Sequence, residues 1–229
     1  MLLFVPYPPK PLLIMIDIYH CTMAGEMPIQ QWDKYFVLLP PAQKEKNRRY
    51  RRWEDRHLHL FARLLLREGL LRHGFEENIL DAIQINAYDR PFLNETIDFS
   101  ISHSGNHVVC AISKDVKLGI DIEKKDRQFD LDLLGDILSP DERDYVLGAP
   151  DKCEAFFRIW TRKESLIKAD GRGFSASPLD QINCLPDEVT LEKKKWYIRD
   201  LDLDNDYSSS LSTDIANPAL NFFPLGFYV

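Results

Sequence analysis

Apolar and polar positions change period several times along these 229 residues. Leu12 to Ile18 is apolar almost throughout, apart from Asp17, and predicts a central strand. A short amphipathic segment runs from Gln30 to Leu38, and Leu39-Pro40-Pro41 is a break that can start a helix. From Ala42 to Arg72 the spacing is helical. Leu58, Phe61, Leu64, Leu65 and Leu71 form its apolar stripe, and Gly69 and Gly74 mark its end. Asp81 to Tyr88 predicts a strand, Asp89-Arg90-Pro91 a turn, and Ile97–Ile101 with His107–Ser113 a hairpin. The hairpin's loop would be Ser102-His103-Ser104-Gly105-Asn106. Ser139-Pro140-Asp141-Glu142 carries an N-cap, a first-turn proline and first-turn acids, and so starts a helix. Lys152 to Ala169 is a second long helix, ended by Asp170-Gly171-Arg172-Gly173. Gln181–Cys184 predicts a short strand, and Trp196–Leu203 with Tyr207–Thr213 a second hairpin around Asp204-Asn205.

The order of elements repeats. Each half runs strand, Leu-Pro or Leu-Ser-Pro break, helix, long helix, short strand, hairpin. The expectation is an α+β fold of two similar α/β halves, 1–113 and 114–229, related by a pseudo-twofold axis with a site at the seam.

The second half opens on Leu118-Gly119-Ile120-Asp121-Ile122-Glu123. On a strand, Ile120 and Ile122 point into a core, and Asp121 and Glu123 stand side by side on the other face. Paired carboxylates repel unless a cation sits between them, and hard oxygen ligands on an apolar strand suit Mg²⁺. Gly119 leaves room for another group to approach. Such a triplet alone reads most simply as a solvated strand face. On the second long helix, Trp160, Glu164 and Lys168 share a stripe, with Lys163 beside it. This could be a surface ion pair, or a third carboxylate and a phosphate-binding lysine.

Composition narrows the classes. Hydrophobic residues are 45% and charged residues 28%, as in an ordinary globular protein. The net charge of −7 argues against a uniformly basic nucleic-acid binder. Lys44, Lys46, Arg48, Arg49, Arg51, Arg52 and Arg56 nevertheless outnumber Glu45, Glu54 and Asp55 at the front of the first long helix, a solvated face or a patch for phosphates or an acidic partner. With only Tyr50 and Trp53 interleaved, a single-strand stacking platform is not expected. Cys21, Cys110, Cys153 and Cys184 are too scattered for a zinc or CxxC motif and fit a reducing compartment, so the cytoplasm is expected. Prolines 6, 8, 9 and 11 interrupt the apolar N-terminal stretch, which reads as neither signal peptide nor membrane span.

Gly119-Ile120-Asp121-Ile122-Glu123 followed by Trp160-Thr161-Arg162-Lys163-Glu164-Ser165-Leu166-Ile167-Lys168 resembles the two signatures of the 4′-phosphopantetheinyl transferases, most closely the larger, surfactin-synthetase type. The resemblance spans about 40–180 and includes Asp89-Arg90-Pro91, Ile101-Ser102-His103-Ser104-Gly105 and Gly171-Arg172-Gly173-Phe174 leading to Pro178. It implies a Mg²⁺-dependent enzyme, with Mn²⁺ as an alternative ion. Such an enzyme moves the phosphopantetheine arm of coenzyme A onto a serine of an apo acyl, peptidyl or aryl carrier protein and releases adenosine 3′,5′-bisphosphate. Asp121, Glu123 and Glu164 would hold the metal. Glu164, or Glu123 directly or through water, would take the serine proton. Lys168 would neutralise the diphosphate, and Lys163 would touch coenzyme A more loosely. Ser102 and His103 would meet its phosphates, and Arg90-Pro91 would lie by the adenine.

One position departs from the family. Where an arginine for the 3′-phosphate is usual, Asp55-Arg56-His57-Leu58 has leucine, leaving Lys46, Arg56, His59 and Arg63 as alternatives. A catalytically inactive coenzyme A or carrier-protein binding module of the same fold is the competing reading. The internal duplication suits a monomer, and neither nucleic acid nor membrane is expected as a partner.

Overall fold

The computed structural model describes residues 14–93, 96–126, 134–173 and 178–228. The first part of the Leu12–Ile18 strand, the N-terminal stretch and Phe174 lie outside the described residues. The first half runs β1 (Met15–Thr22), α1 (Ile29–Phe36), α2 (Pro41–Arg49), α3 (Trp53–Arg72), the two-residue strands β2 (Gln84–Ile85) and β3 (Pro91–Phe92), and the hairpin β4 (Ile97–Ser104) and β5 (His107–Lys114). The second runs β6 (Leu118–Lys124), α4 (Leu134–Ile137), α5 (Pro140–Gly148), α6 (Lys152–Asp170), β7 (Glu188–Leu191), β8 (Lys194–Leu201) and β9 (Tyr207–Thr213), before β10 (Ala219–Pro224).

The strand pairing repeats as well. β1 runs antiparallel to β5, the second strand of the first hairpin, and β6 runs antiparallel to β9, the second strand of the second. The sheets have the orders β10-β1-β5-β4 and β6-β9-β8-β7. The 113/114 division falls at the last residue of β5, just before β6, yet β10 crosses back to pair parallel with β1, Met15 opposite Ala219. Phe227 then stacks on Phe61 of α3, so the end of the chain helps to close the first half.

Alternation sorts the core into layers. Tyr19, Cys21, Phe99, Cys110 and Ile112 face α3. Ile16, Ile18, Val109 and Ala111 face the other way and meet Leu118, Ile120 and Ile122 of β6. Helix α6 covers the far side of the second sheet, where Leu166 and Ala169 pack with Trp196 and Ile198. Along β1, Ile16 and Ile18 are buried on one face and Tyr19 and Cys21 on the other, whereas Ile14 and Met15 at its start are exposed.

Four local expectations change. Ser102 and His103 belong to β4, not to a loop; the turn is at Gly105, with φ 56°. The predicted single helix over 42–72 is two, parted at Tyr50–Arg52. The buried Asn47 donates from Nδ2 to the Arg56 carbonyl, and Arg56 Nε donates to the Tyr50 carbonyl, so polar bonds fix a bend that no glycine or proline announces. The strand predicted over Asp81–Tyr88 shrinks to Gln84–Ile85, because Asn86 Oδ1 accepts from Tyr88 N and Arg90 N and folds the chain into a turn. Gln181–Cys184 is not a strand; its Cys184 amide is taken by the Glu142 carboxylate, and strand pairing begins at Glu188. The helix start at Ser139 is a full capping box, Ser139 and Glu142 each receiving the other's backbone N–H.

Gly119 lies where β6 meets α6. A Cβ there would stand 2.1 Å from the Ser165 carbonyl oxygen and 2.3 Å from Ala169 N, both backbone atoms of α6. Gly69 on α3 is also crowded, but by the side chains of Ile112 and Tyr19, which can shift. Gly119→Ala should therefore destabilise the protein by at least about 2 kcal/mol, read as a thermal midpoint lower by roughly 5 °C or more. Gly69→Ala should cost less, because helix propensity returns about 1 kcal/mol.

Candidate active site

β4 and β6 are sheet edges lying side by side, and β6 presents backbone N–H groups with no strand to receive them. The alternate residues of β4 supply acceptors. Asp98 Oδ2 accepts from Leu118 N at 3.0 Å, Ser100 Oγ from Ile120 N at 3.1 Å, and Ser104 Oγ from Lys124 N at 3.0 Å. The same row of hydroxyls donates to the carboxylates: Ser102 to Asp121 Oδ1 and Ser104 to Glu123 Oε2, each at 2.7 Å. The opposite residues of β4, Phe99, Ile101 and His103, line a cleft of about 710 Å³.

Helices from both halves wall this cleft. α2 and α3 contribute Gln43, Lys46, Arg63 and Leu66; α6 contributes Glu164, Ile167 and Lys168; the β2–β3 turn contributes Ile85, Tyr88, Arg90 and Pro91. Because Gly119 lets α6 lie on β6, Lys168 Nζ reaches Asp121 Oδ1 at 2.6 Å and Ser102 Oγ at 3.0 Å. Glu164, on the wall of the cleft, thus comes near enough to Asp121 and Glu123 for their charges to act on it. Burial, together with the charge of Asp121 and against the pull of Lys168, pushes Glu164 up to about 7. Burial also raises Glu123, opposed by its Ser104 bond and reinforced by Asp121.

The donor set fits a hard divalent cation. It offers only oxygen ligands, and Asp121 Oδ2 is buried without a hydrogen-bond partner. The like-charge pressure on Glu123 and Glu164 is what a cation would relieve. Among the described residues, no three His, Cys, Asp or Glu side chains are already gathered tightly enough to enclose an ion.

Other expected residues meet different fates. Lys46 and Pro91 line the cleft. His103 does too, with its pKa lowered by burial and then by Lys168 and Arg63, which favours the neutral ring. Ser102 does not face a phosphate: it is buried, with its proton committed to Asp121. Arg90 lines the wall, but its Nη2 donates to both Asp98 oxygens at 2.9 Å and to the Leu118 carbonyl at 3.0 Å, so its head fastens β4 to β6. Lys163 is a clear correction. Adjacent helical residues point about 100° apart, and Lys163 faces away from Glu164 into the protein. It is fully buried, 2.8 Å from the equally buried Glu142, and donates to the carbonyls of Leu179 and Ile182.

Periodicity did not single out two further features. Ile83, Ile85 and Tyr88, within the stretch predicted only as a strand, line the cleft. Arg162 is buried and bonded to Asp187 and Asp200, anchoring α6 to the second sheet. Its two carboxylate partners, near the hairpin, were the only available signal.

Known proteins share this pattern. The family model described as "4'-phosphopantetheinyl transferase superfamily" matches residues 117–216, and that described as "4'-phosphopantetheinyl transferase, N-terminal" matches 27–115. A Bacillus subtilis 4′-phosphopantetheinyl transferase is 31% identical over 204 residues, 84% of this chain and 89% of that protein. The 4′-phosphopantetheinyl transferase Sfp of Bacillus subtilis strain 168 is 31% identical over 173 residues, 73% of this chain and 75% of that one. The solved holo-[acyl-carrier-protein] synthase of Thermotoga maritima aligns with 42% of this chain and 61% of its own at 14% identity and a TM-score of 0.34, a likeness that adds nothing to the assignment.

Lys163 and Glu142 give a direct test of the corrected role. Lys163→Met and Glu142→Leu should each destabilise by about 3 kcal/mol, since each leaves one charge buried alone. The double variant should lose at least about 1 kcal/mol less than the sum in denaturant unfolding; additive losses would mean that the two groups do not act as a pair. With both signatures meeting across one cleft, and with relatives matched along most of their length, the chain belongs to the 4′-phosphopantetheinyl transferase family, in its surfactin-synthetase-type branch.

Proposed function

We propose that this transferase moves the 4′-phosphopantetheine group from coenzyme A to a serine of an apo carrier protein, with Mg²⁺ held by Asp121, Glu123 and Glu164. The observation that carries the reading is the buried, unpartnered Asp121 Oδ2 beside Glu123 and Glu164, two carboxyls raised by burial and by the charge of Asp121, next to a cleft whose lining includes Lys46, Arg63, Arg90 and Lys168. When bound, the ion supplies positive charge against the diphosphate. The chain's own residues do the rest. Glu164 or Glu123 accepts the proton as the serine Oγ bonds to the phosphorus that carries the pantetheine arm. The bond from that phosphorus to the bridging oxygen breaks, and adenosine 3′,5′-bisphosphate leaves. Lys168, beside Asp121, stands where it can neutralise the leaving phosphate, and the His103 N–H can donate to the diphosphate. Tyr88 and Pro91 offer an apolar face for the adenine.

The carrier is proposed to dock on the exposed basic face of α2 and the start of α3. Its acidic surface would complement Arg48 and Arg52, and a small transient contact would suffice. No helix among the described residues is long and apolar enough to cross a membrane. The four cysteines are buried thiols, consistent with the cytoplasm as the proposed compartment. A monomer is the proposed state.

The decisive experiment weighs an unmodified carrier protein by mass spectrometry after incubation with the enzyme, coenzyme A and Mg²⁺. A phosphopantetheine mass gain is expected, lost with Glu164→Gln and on chelation of the metal. Binding of coenzyme A without any gain, across acyl, peptidyl and aryl carriers, would instead make the chain a binding module. Arg48→Glu with Arg52→Glu should raise the KM for carrier by about tenfold, as expected for lost electrostatic complementarity, and should change coenzyme A affinity little. Equal losses for both substrates would move the carrier surface elsewhere.

A further inference from the structure

Strand β9 lays a row of hydroxyls along the face of the second sheet that meets α6. Ser212 stands opposite Gly119, Ser210 opposite Asp121 and Ser208 opposite Glu123. Tyr207 and Leu211 take the other face, in the core with Ile120 and Ile122. Ser212 Oγ lies 2.8 Å from Ser165 Oγ of the helix. Ser210 Oγ lies 3.0 Å from Thr161 Oγ1 and donates to Asp200 Oδ1 at 3.2 Å. Thr161 and Ser165 are one helical step of four apart, and the next residue of that stripe is Phe157, which has no hydroxyl to offer. Ser208 is 6% exposed, and its Oγ is buried with no hydrogen-bond partner. A buried hydroxyl in that state is unfavourable and calls for a reason.

Its position supplies one. Side chains directly opposite in an antiparallel pair have Cβ atoms about 5 Å apart, so Ser208 stands beside Glu123. That carboxylate already receives Ser104 of β4 on Oε2 at 2.7 Å and the indole of Trp160 of α6. A carboxylate has about four acceptor sites, so it can take a further donor. Two residues earlier on the same face of β6, Asp121 Oδ2 is also buried and unpartnered. Two orphaned polar atoms therefore flank Glu123, one along its own strand and one across the sheet. The charged groups on the other side of Ser208 are committed elsewhere: Asp200 to Arg158 and Arg162, and Lys125 to Glu154.

One binding event would satisfy both atoms. A cation held by Asp121 Oδ2 also draws on Glu123, and a carboxylate that ligates an ion is usually fixed by hydrogen bonds from behind. Resting on the reading of Asp121, Glu123 and Glu164 as an ion site, we propose that Ser208 is a positioning residue, whose hydroxyl donates to the Glu123 carboxylate when a divalent cation is bound and so fixes the orientation of that ligand. Ser210 and Ser212, one and two steps along the same row, hold α6 to the sheet instead.

Mn²⁺ titration tests this, followed by the electron paramagnetic resonance of the free ion, with coenzyme A present and no carrier protein. Ser208→Ala should weaken Mn²⁺ binding by about tenfold, as for loss of a hydrogen bond to a ligating group. Its metal-free thermal midpoint should stay the same or rise, because no bond is lost and an unpaired buried hydroxyl is removed. Ser212→Ala should do the reverse, with a lower midpoint and unchanged Mn²⁺ affinity. Ser208→Thr, which keeps a hydroxyl, should bind Mn²⁺ close to the parent affinity. Unchanged affinity in Ser208→Ala, a fall in affinity matched by a fall in thermal midpoint, or a folded Ser208→Thr as weak as the alanine variant would overturn the assignment. If Ser208→Ala fails to fold, Ser208→Cys, a weak donor of similar size, decides by the same two measurements. No Mn²⁺ binding by the parent protein would sink the ion-site reading and this assignment together; binding that does not respond at Ser208 would sink this assignment alone.

Discussion

The structure depends on how the exposed edge of β6 is satisfied. Two sheets meet there without a backbone ladder between them. A bare edge of this kind would leave buried N–H groups unpaired, each at a cost of about 1–3 kcal/mol. Asp98, Ser100 and Ser104 stand in for a strand and accept from Leu118, Ile120 and Lys124. Side chains as short as serine and aspartate hold the two edges close, so the row that joins the halves also presents hydroxyls to Asp121 and Glu123. Arg90 reinforces the same joint through Asp98. Stability and chemistry share these atoms.

A second contact sets the other half of the site. Helix α6 can lie on β6 because Gly119 has no side chain and because β9 offers serines where it touches the helix. Thr161 meets Ser210 at 3.0 Å, and Ser165 meets Ser212 at 2.8 Å. That close approach brings Glu164 and Lys168 beside Asp121. The reverse side of α6 is tied down by Arg162 to Asp187 and Asp200, and by Lys163 to Glu142. One helix thus carries Glu164 and Lys168 on one face and two buried cations on the other, and the buried pair fixes the rotation of the helix about its axis. A carboxylate cluster that would repel itself is therefore held by rigid elements rather than by loops, which is the preorganisation that electrostatic catalysis needs.

The cleft is asymmetric in charge as a consequence. Its acidic end comes from β6 and α6, and its basic wall from α2 and α3. A ligand with several phosphates and a metal can be neutralised at both ends, while the protein as a whole stays acidic. The apolar turn between β2 and β3 gives the remaining surface. The duplicated order of elements places these walls opposite one another, with β4 as the floor.

The sequence by itself determined a good deal. Alternation around Gly119 placed Asp121 and Glu123 on one face, and helical spacing put Glu164 and Lys168 on one stripe, because both periods are local and robust. The repeated order of elements and the helix starts at Pro41 and Ser139 were legible for the same reason. Only the tertiary structure decided which face of a polar residue was turned inward. Lys163 reads as a site residue beside Glu164, yet its charge is buried against Glu142, a partner twenty-one residues away. Ser102 and Arg90 read as ligand donors and are spent on Asp121 and Asp98. Hydrogen bonds and charge pairs between distant segments have no period in the sequence, so the assignment of each cation to a fold contact or to a ligand waits for the packing that brings those segments together.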